Sequence, residues 1–360
     1  MPPVDSREPL GRRVVVRRVA DRSGDRTWYS DVVGVLVNAE ELALTVRTRD
    51  GTEVRVLRRD IHRMKPVPAS AADIQALEEI AALGWQASDS RWLGRWLLRA
   101  AHGWTGRGNS VLPIGDPGLP VGEALDAVRA WYAERGLPAR FQIPLPLRTS
   151  LDHLLDAGGW TSYNHSRVLT ADLATALLAL PERADLPAVI LEPEPSADWL
   201  TAYHYRGGPL PENARATLTN ADRPVFASVR DGGQTIAVAR AVVDRGWAGV
   251  AAVEVVAEHR RRGLATHVMR ALLEWAAGHR ATAVYLQVAG ENAAALALYG
   301  RLGFTEHHRY HYRLAPAENP AVTEGPAVTE SPAVTGSPAV TGSPAETGSP
   351  AATDGQPANG

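Results

Sequence analysis

The sequence predicts a mixed α/β (α+β) chain. A small strand-rich module comes first, then two unequal copies of one unit in which helices pack on a mixed, splayed sheet. Three observations carry this reading. Residues 11–66 alternate apolar and polar side chains in the manner of short strands. From residue 70 onward, short β-branched runs alternate with stretches of helical periodicity. Landmarks of one half also recur in the other at an offset of 144 or 145 residues: Gly118-Leu119 with Gly263-Leu264, Trp131 with Trp275, Gln142 with Gln287, and Gly159-Trp160 with Gly303-Phe304.

A chain of 360 residues is too long for one ordinary core. The expected division is a small SH3-like barrel at 1–66, a degenerate copy at 70–175, a second copy at 185–315 and a Pro/Ala/Thr-rich tail at 316–360. That tail has no aromatic residue and frequent prolines, a composition that cannot bury enough apolar area to order itself. With 38 basic against 40 acidic residues, no global charge draws the chain to nucleic acid or membrane. The absence of cysteine excludes disulfides, cysteine-zinc sites and a thiol nucleophile. No apolar run reaches the ~20 residues of a membrane helix, and no signal-like segment follows Met1, so a cytoplasmic protein is expected.

Taken in order, Arg13–Arg17, Ser30–Val37, Leu42–Thr48 and Thr52–Leu57 read as strands, the last two joined by an Asp50-Gly51 hairpin turn. Pro66-Val67-Pro68 is a linker. Ser70 caps a helix over 71–83, and 91–101 reads as a second, Trp-containing helix. A short strand at 110–114, a helix over 121–135 stopped by Gly136, a strand at 140–143, a helix over 151–157 and a strand at 163–169 complete the first copy. In the second, a strand at 189–191 and helices from Ser196 and Glu212 precede three antiparallel strands at 225–229, 235–243 and 249–256. Helix 266–277, strand 284–288, helix 292–302 and strand 308–314 follow.

Val253-Glu254-Val255-Val256 runs through Arg260-Arg261-Arg262-Gly263-Leu264-Ala265-Thr266 into a helix. Such a turn offers free backbone amides, the positive end of a helix dipole and three arginines, with Gly263 admitting close approach of a phosphate. The first copy has Asp116-Pro117-Gly118-Leu119-Pro120 at the same place, where an acid and a second proline spoil the anion site.

This order of elements across 187–315, with Arg260-Arg261-Arg262-Gly263-Leu264-Ala265 fitting a Gln/Arg-x-x-Gly-x-Gly/Ala pattern and Asn292, Tyr299 and Gly303-Phe304 downstream, resembles the GNAT superfamily of acyl-CoA N-acyltransferases. The layout is similar to tandem-domain actinobacterial members, some with an SH3-like barrel. The resemblance implies an enzyme moving an acetyl group from acetyl-CoA to a primary amine by direct attack on the thioester. Acetyl-CoA would lie between the strand ending at Val256 and the strand 284–288. The amides from Arg261 to Thr266 would hold its pyrophosphate, beside Arg260, while Val253–Val255 and Asn292 would hold its pantetheine. The Val255 N–H would polarise the thioester carbonyl, and Tyr299 would protonate the departing thiolate.

Other roles follow from the residues themselves. Glu254 is the nearest carboxylate by sequence and is the candidate base, against the alternative of a plain strand carboxylate with water as base. Tyr299 could equally be a core tyrosine. His307, His308 and His311 are poorly placed to share a metal, and none is expected. The loop Trp104–Ser110 either lines an acceptor pocket between the copies or is a turn. The barrel arginines are interleaved with acids, which favours a solvated face over a nucleic-acid contact. A second reading stays open, a catalytically silent acyl-CoA sensor or scaffold whose barrel binds nucleic acid or protein. Amino acids, aminoglycosides, amino-sugar thiols and protein amines all remain as acceptors.

Overall fold

The computed structural model describes residues 13–23, 26–204 and 208–317. The tail expected over 316–360 lies, except for its first two residues, outside these. No described helix is long and apolar enough to cross a membrane.

Strands β1 (Arg13–Ser23), β2 (Arg26–Ala39), β3 (Ala43–Arg47), β4 (Glu53–Leu57) and β5 (Ile61–Pro66) form an antiparallel sheet in the order β4-β3-β2-β1-β5. Alternation sends Val14, Val16, Val32, Leu36, Leu44, Val46 and Val56 into one buried cluster. The outward arginines meet acids: Arg17 with Asp31, Arg47 with Glu53, Arg55 with Glu40. Arg47 also reaches Asp172, 3.2 Å away, and so ties the module to the rest of the chain.

The stretch read from the sequence as the first copy comprises α1 (Ala71–Leu83), β6 (Asp89–Leu93), β7 (Trp96–Ala100), β8 (Leu112–Pro113), α2 (Val121–Ala133), β9 (Arg140–Leu145), α3 (Thr149–Ala157), β10 (Thr161–Asp172) and α4 (Leu173–Ala179). Ser70 and Asp73 form a reciprocal capping box at the start of α1. The helix expected over 91–101 is instead the β6–β7 hairpin. Trp96, Leu98 and Ala100 are buried together on one face, a period of two that overrides the helical reading. Gly94 makes the turn at φ +53°, where a Cβ would lie 2.3 Å from the Pro117 carbonyl.

The second copy comprises β11 (Val189–Glu192), α5 (Ala197–Ala202), α6 (Ala214–Thr219), β12 (Val225–Asp231), β13 (Gln234–Asp244), β14 (Trp247–Val255), α7 (Leu264–Gly278), β15 (Ala283–Ala289), α8 (Ala293–Arg301) and β16 (Thr305–Leu314). The expected boundary between the copies is one of sequence; the sheet passes through it. A single eight-stranded sheet runs β11-β12-β13-β14-β15-β10-β16-β9. The last strand of the first copy, β10, lies between β15 and β16, with Val168 opposite both Gln287 and His308. The last strand of the second, β16, lies between β10 and β9, with Tyr312 opposite Gln142. The two stretches read as copies thus interleave their terminal strands in one sheet.

Buried polar groups fasten this exchange. Glu78 of α1, 1% exposed, accepts from Gln142 Nε2 at 2.9 Å and pairs with His308 Nε2 at 2.8 Å. Asp152 of α3 joins His311 and Arg313 of β16, each at 2.8 Å. Of the three histidines weighed as metal ligands, His308 and His311 thus hydrogen-bond to the buried acids Glu78 and Asp152, and His307 turns its Nδ1 to His308 Nδ1 at 2.8 Å, which satisfies groups that burial would otherwise leave costly.

Candidate active site

β14 and β15 pair in parallel only from Trp247 opposite Ala283 to Val250 opposite Leu286. Beyond that, β14 bends away. Its pairing with β13 jumps from Arg240–Ala251 to Val238–Glu254, and Ala252 takes φ +53°. Two residues on β14 thus face one on β13, a bulge that opens a cleft between 251–255 and the end of β15. No sequence signal marks it, because the left-handed residue is an alanine.

Within that half of β14, the Val256 N–H donates to Ile236 O at 3.0 Å, toward β13. Alternation therefore turns the Val255 N–H into the cleft. The Val255 carbonyl, on the same side, accepts from Arg260 Nε at 3.0 Å. Val253 and Val255 pack on the core beneath α7. Glu254 points to the other face, where its Oε2 accepts the His204 backbone N–H at 2.7 Å and its Oε1 is 3.6 Å from His204 Nδ1. Burial raises the Glu254 pKa above the usual carboxylate range, outweighing the opposing pull of His204.

The turn into α7 holds Arg261 at φ +63° and Gly263 at φ +85°. Among the described residues, the first helix amide to find a backbone acceptor is that of His267, on Gly263 O at 3.0 Å; the amides from Arg261 to Thr266 have none. Leu264 is buried as an anchor, and the Thr266 hydroxyl is spent on Gly263 O at 2.7 Å. Arg262 bonds His259 Nδ1 at 2.8 Å and leans toward Asp231, 3.9 Å away. The counterpart turn is closed: Asp116 Oδ1 accepts the Gly118 amide at 2.8 Å.

A residue that sequence reasoning missed completes the turn. A Cβ on Gly263 would lie 2.0 Å from Nη1 of Arg183, so that guanidinium rests on the glycine. Its Nε and Nη2 are held by Asp185 at 2.7 and 2.6 Å, leaving Nη1 at the turn. The connecting segment is strapped along α7 by Arg270 on Leu180 O and Glu182 and by His267 on Pro187 O. Nothing in the sequence near Arg183 marks it, since its place depends on how the two copies are joined.

Asn292 caps α8, its Oδ1 accepting the Ala295 N–H at 3.0 Å, which leaves Nδ2 to donate. Tyr299 of α8 is 8% exposed, packs 5.7 Å from the Phe304 ring, and shares one core cluster with Val253, Val255 and Leu264. Burial pushes its phenol up to about 12. On the Glu254 side, the first copy supplies Trp85 and Trp104 to an aromatic cluster with Trp199, Tyr203 and Phe226, against Ala251 and Ala252. The Trp104–Ser110 loop is held by buried Asn109, whose Nδ2 donates to the Thr105 carbonyl at 2.9 Å and whose Oδ1 takes the Ala101 and Gly103 amides at 2.8 Å.

The family model described as "Probable histone acetyltransferase Rv0428c C-terminal" matches residues 71–313. The chain is 32% identical over 322 residues to the probable histone acetyltransferase Rv0428c of Mycobacterium tuberculosis, covering 86% of this chain and 96% of that protein. It is 31% identical over 246 residues to the uncharacterized N-acetyltransferase YobR of Bacillus subtilis, covering 67% and 98% respectively. A GCN5-related N-acetyltransferase from Kribbella flavida shares the fold, with a TM-score of 0.54 at 17% identity over 71% of this chain and 99% of that one. On the matched length of sequence and the splayed mixed sheet together, the chain belongs to the Rv0428c-type acetyltransferases and carries the GNAT fold.

Proposed function

We propose that this acetyltransferase moves an acetyl group from acetyl-CoA to a primary amine by direct attack, in the cleft where β14 leaves β15. The observation that carries the reading is the coincidence of a bulge-opened cleft with six unspent amides, 261–266, at its mouth. These amides, with Arg261 and Arg183, suit a pyrophosphate. Val253, Val255 and the Nδ2 of Asn292 suit the amide groups of a pantetheine arm.

In this reading Glu254 removes the proton of the attacking amine and the Val255 N–H takes the developing oxyanion. The new bond joins nitrogen to the acetyl carbon as the carbon–sulfur bond breaks. Tyr299 faces the leaving sulfur. A phenol near 12 is a weaker acid than a thiol at ~8.5, so Tyr299 supplies a hydrogen bond to the developing thiolate and not a full proton. Arg260 serves as a tie on Val255 O more than as a phosphate charge. We assign the chemistry to the second copy and a roofing role to the first, whose own turn is closed by Asp116 and whose Trp85 and Trp104 wall the amine side.

The test is release of CoA from acetyl-CoA over a panel of amines, including a histone-like basic peptide because of the relative's name. The chain has no cysteine, so a thiol reagent reports only released CoA. Acetyl-CoA binding without CoA release over the whole panel, together with wild-type behaviour of Glu254→Gln and Tyr299→Phe, would leave a silent acyl-CoA binder.

A further inference from the structure

The β6–β7–β8 sheet has two faces, and only one is filled. Trp96, Leu98 and Ala100 pack into the core beneath α2, whereas on the opposite face α1 covers the sheet in part. What remains is a cavity of about 490 Å³ lined by Trp92, Leu97, Arg99, Arg95, Glu79 and, from the turn after β13, Arg245. That size lies within the range of about 300–1,000 Å³ of small-molecule sites. It is separate from the β14–β15 cleft and uses none of that cleft's residues.

The chemistry of the wall is uneven. Arg99 is 3% exposed and is bonded only to neutral acceptors: Ser110 O at 3.0 Å, Ser110 Oγ at 2.9 Å and Gln142 Oε1 at 2.9 Å. Its Nη1 makes no hydrogen bond among the described residues. Arg95 holds Glu79 at 2.7 Å, and Arg245 is 3.9 Å from the same carboxylate and 3.4 Å from Asp244 behind it. Three guanidinium groups thus line the cavity with one carboxylate. Glu78, the neighbouring acid on α1, is engaged by Gln142 and His308. A buried guanidinium without an anionic partner is costly, and its planar fork matches a carboxylate or phosphate. At the rim, Trp92 is 55% exposed, an indole opposite Leu97 in the hairpin with most of its ring open to solvent.

We propose that this cavity is a second ligand site, in the copy that lacks a working phosphate turn, for a small organic anion: a carboxylate or phosphate carried on a planar apolar body. Arg99 and Arg95 take the anionic group, Trp92 stacks on the body, and Arg245 brings the second copy into contact with the ligand.

The full chain is titrated calorimetrically with benzoate, phenyl phosphate and inorganic phosphate, with benzyl alcohol and benzylamine as neutral and cationic controls. Benzoate or phenyl phosphate is expected to bind saturably, one per chain, with a dissociation constant near or below about 1 mM, and the controls not to bind. Trp92→Ala and Arg245→Gln are each expected to weaken it at least about fivefold. Acetyl-CoA affinity should stay unchanged in both. Which of the two organic anions binds tighter distinguishes a carboxylate from a phosphate ligand. Binding that ignores charge, binding indifferent to both substitutions in folded variants, or no binding of any anion overturns the proposal. Inorganic phosphate binding as tightly as phenyl phosphate overturns the planar body.

Discussion

Glu254 Oε2 accepts the backbone N–H of His204, 50 residues earlier in the chain, at 2.7 Å. The bond aims the carboxylate from β14 toward the segment after α5, and burial raises its pKa. A base acts when deprotonated, so activity should rise with pH through a value above the ordinary ~4.3 of glutamate. Glu254→Gln is expected to lower kcat by about 10²–10³-fold, flatten that acid limb, and leave the acetyl-CoA KM nearly unchanged. A carboxyl whose folded pKa lies above its unfolded value favours the fold at low pH and opposes it above that pKa. The variant keeps an acceptor for His204, so it should melt no lower than the parent at pH 8. A pH–rate profile superimposable on wild type would remove Glu254 from the mechanism.

Tyr299→Phe deletes one buried hydroxyl and no ring packing against Phe304, so the fold should persist. Loss of a hydrogen bond to the leaving sulfur should reduce kcat about 10–100-fold with little change in KM. Because the phenol is held near 12, wild-type kcat should show no fall from Tyr299 ionisation between pH 7 and 10. An alkaline limb in that window which vanishes in the Phe variant would contradict a buried, protonated tyrosine.

Gly263 and Arg183 should act as one unit. Gly263→Asp places a carboxylate among the free amides and should abolish measurable acetyl-CoA binding, a loss of at least about 100-fold. Even Gly263→Ala should weaken it, since φ is +85° and the methyl would displace Arg183 Nη1 from 2.0 Å. Arg183→Gln leaves the turn intact and should raise the Kd about 5–10-fold, with a shallower salt dependence. If Arg183→Gln binds acetyl-CoA like wild type at low salt, the linker arginine only rests on the turn.

Most of the elements were legible in the sequence because each has a local cause: the Ser70 and Ser196 caps, the alternation of Val14 to Val56, and the glycine at the turn into α7. The repeat also pointed to an acid at the first copy's turn, and there Asp116 takes the Gly118 amide. What was hidden depends on distant chain. The β6–β7 hairpin read as a helix because tryptophans suit either period until a core selects one face. The bulge at Ala252 carries no glycine. Arg183 reaches Gly263 only because the linker is strapped to α7. The exchange of β10 and β16 cannot be read from either copy, because both strands have ordinary alternation and would fit either sheet.

That exchange makes a prediction about independence. Without β10, β15 and β16 lose their shared neighbour, and the buried Val168 no longer separates Gln287 from His308. A chain of residues 185–317 would expose three strand edges, one of β15 and both of β16, and leave His308 and Arg313 without Glu78 and Asp152. It should be insoluble or molten, although it contains every proposed catalytic residue. Residues 13–180 and 181–317 co-expressed as two chains should co-purify and release CoA, since the cut falls in the linker and spares the sheet. Within the intact chain, Val168→Asp buries a charge at a site 1% exposed and should cost more than about 4 kcal/mol, unfolding both copies in one transition. Two separate melting transitions in that variant, or a folded and active 185–317 fragment, would mean that the second copy can close its sheet alone.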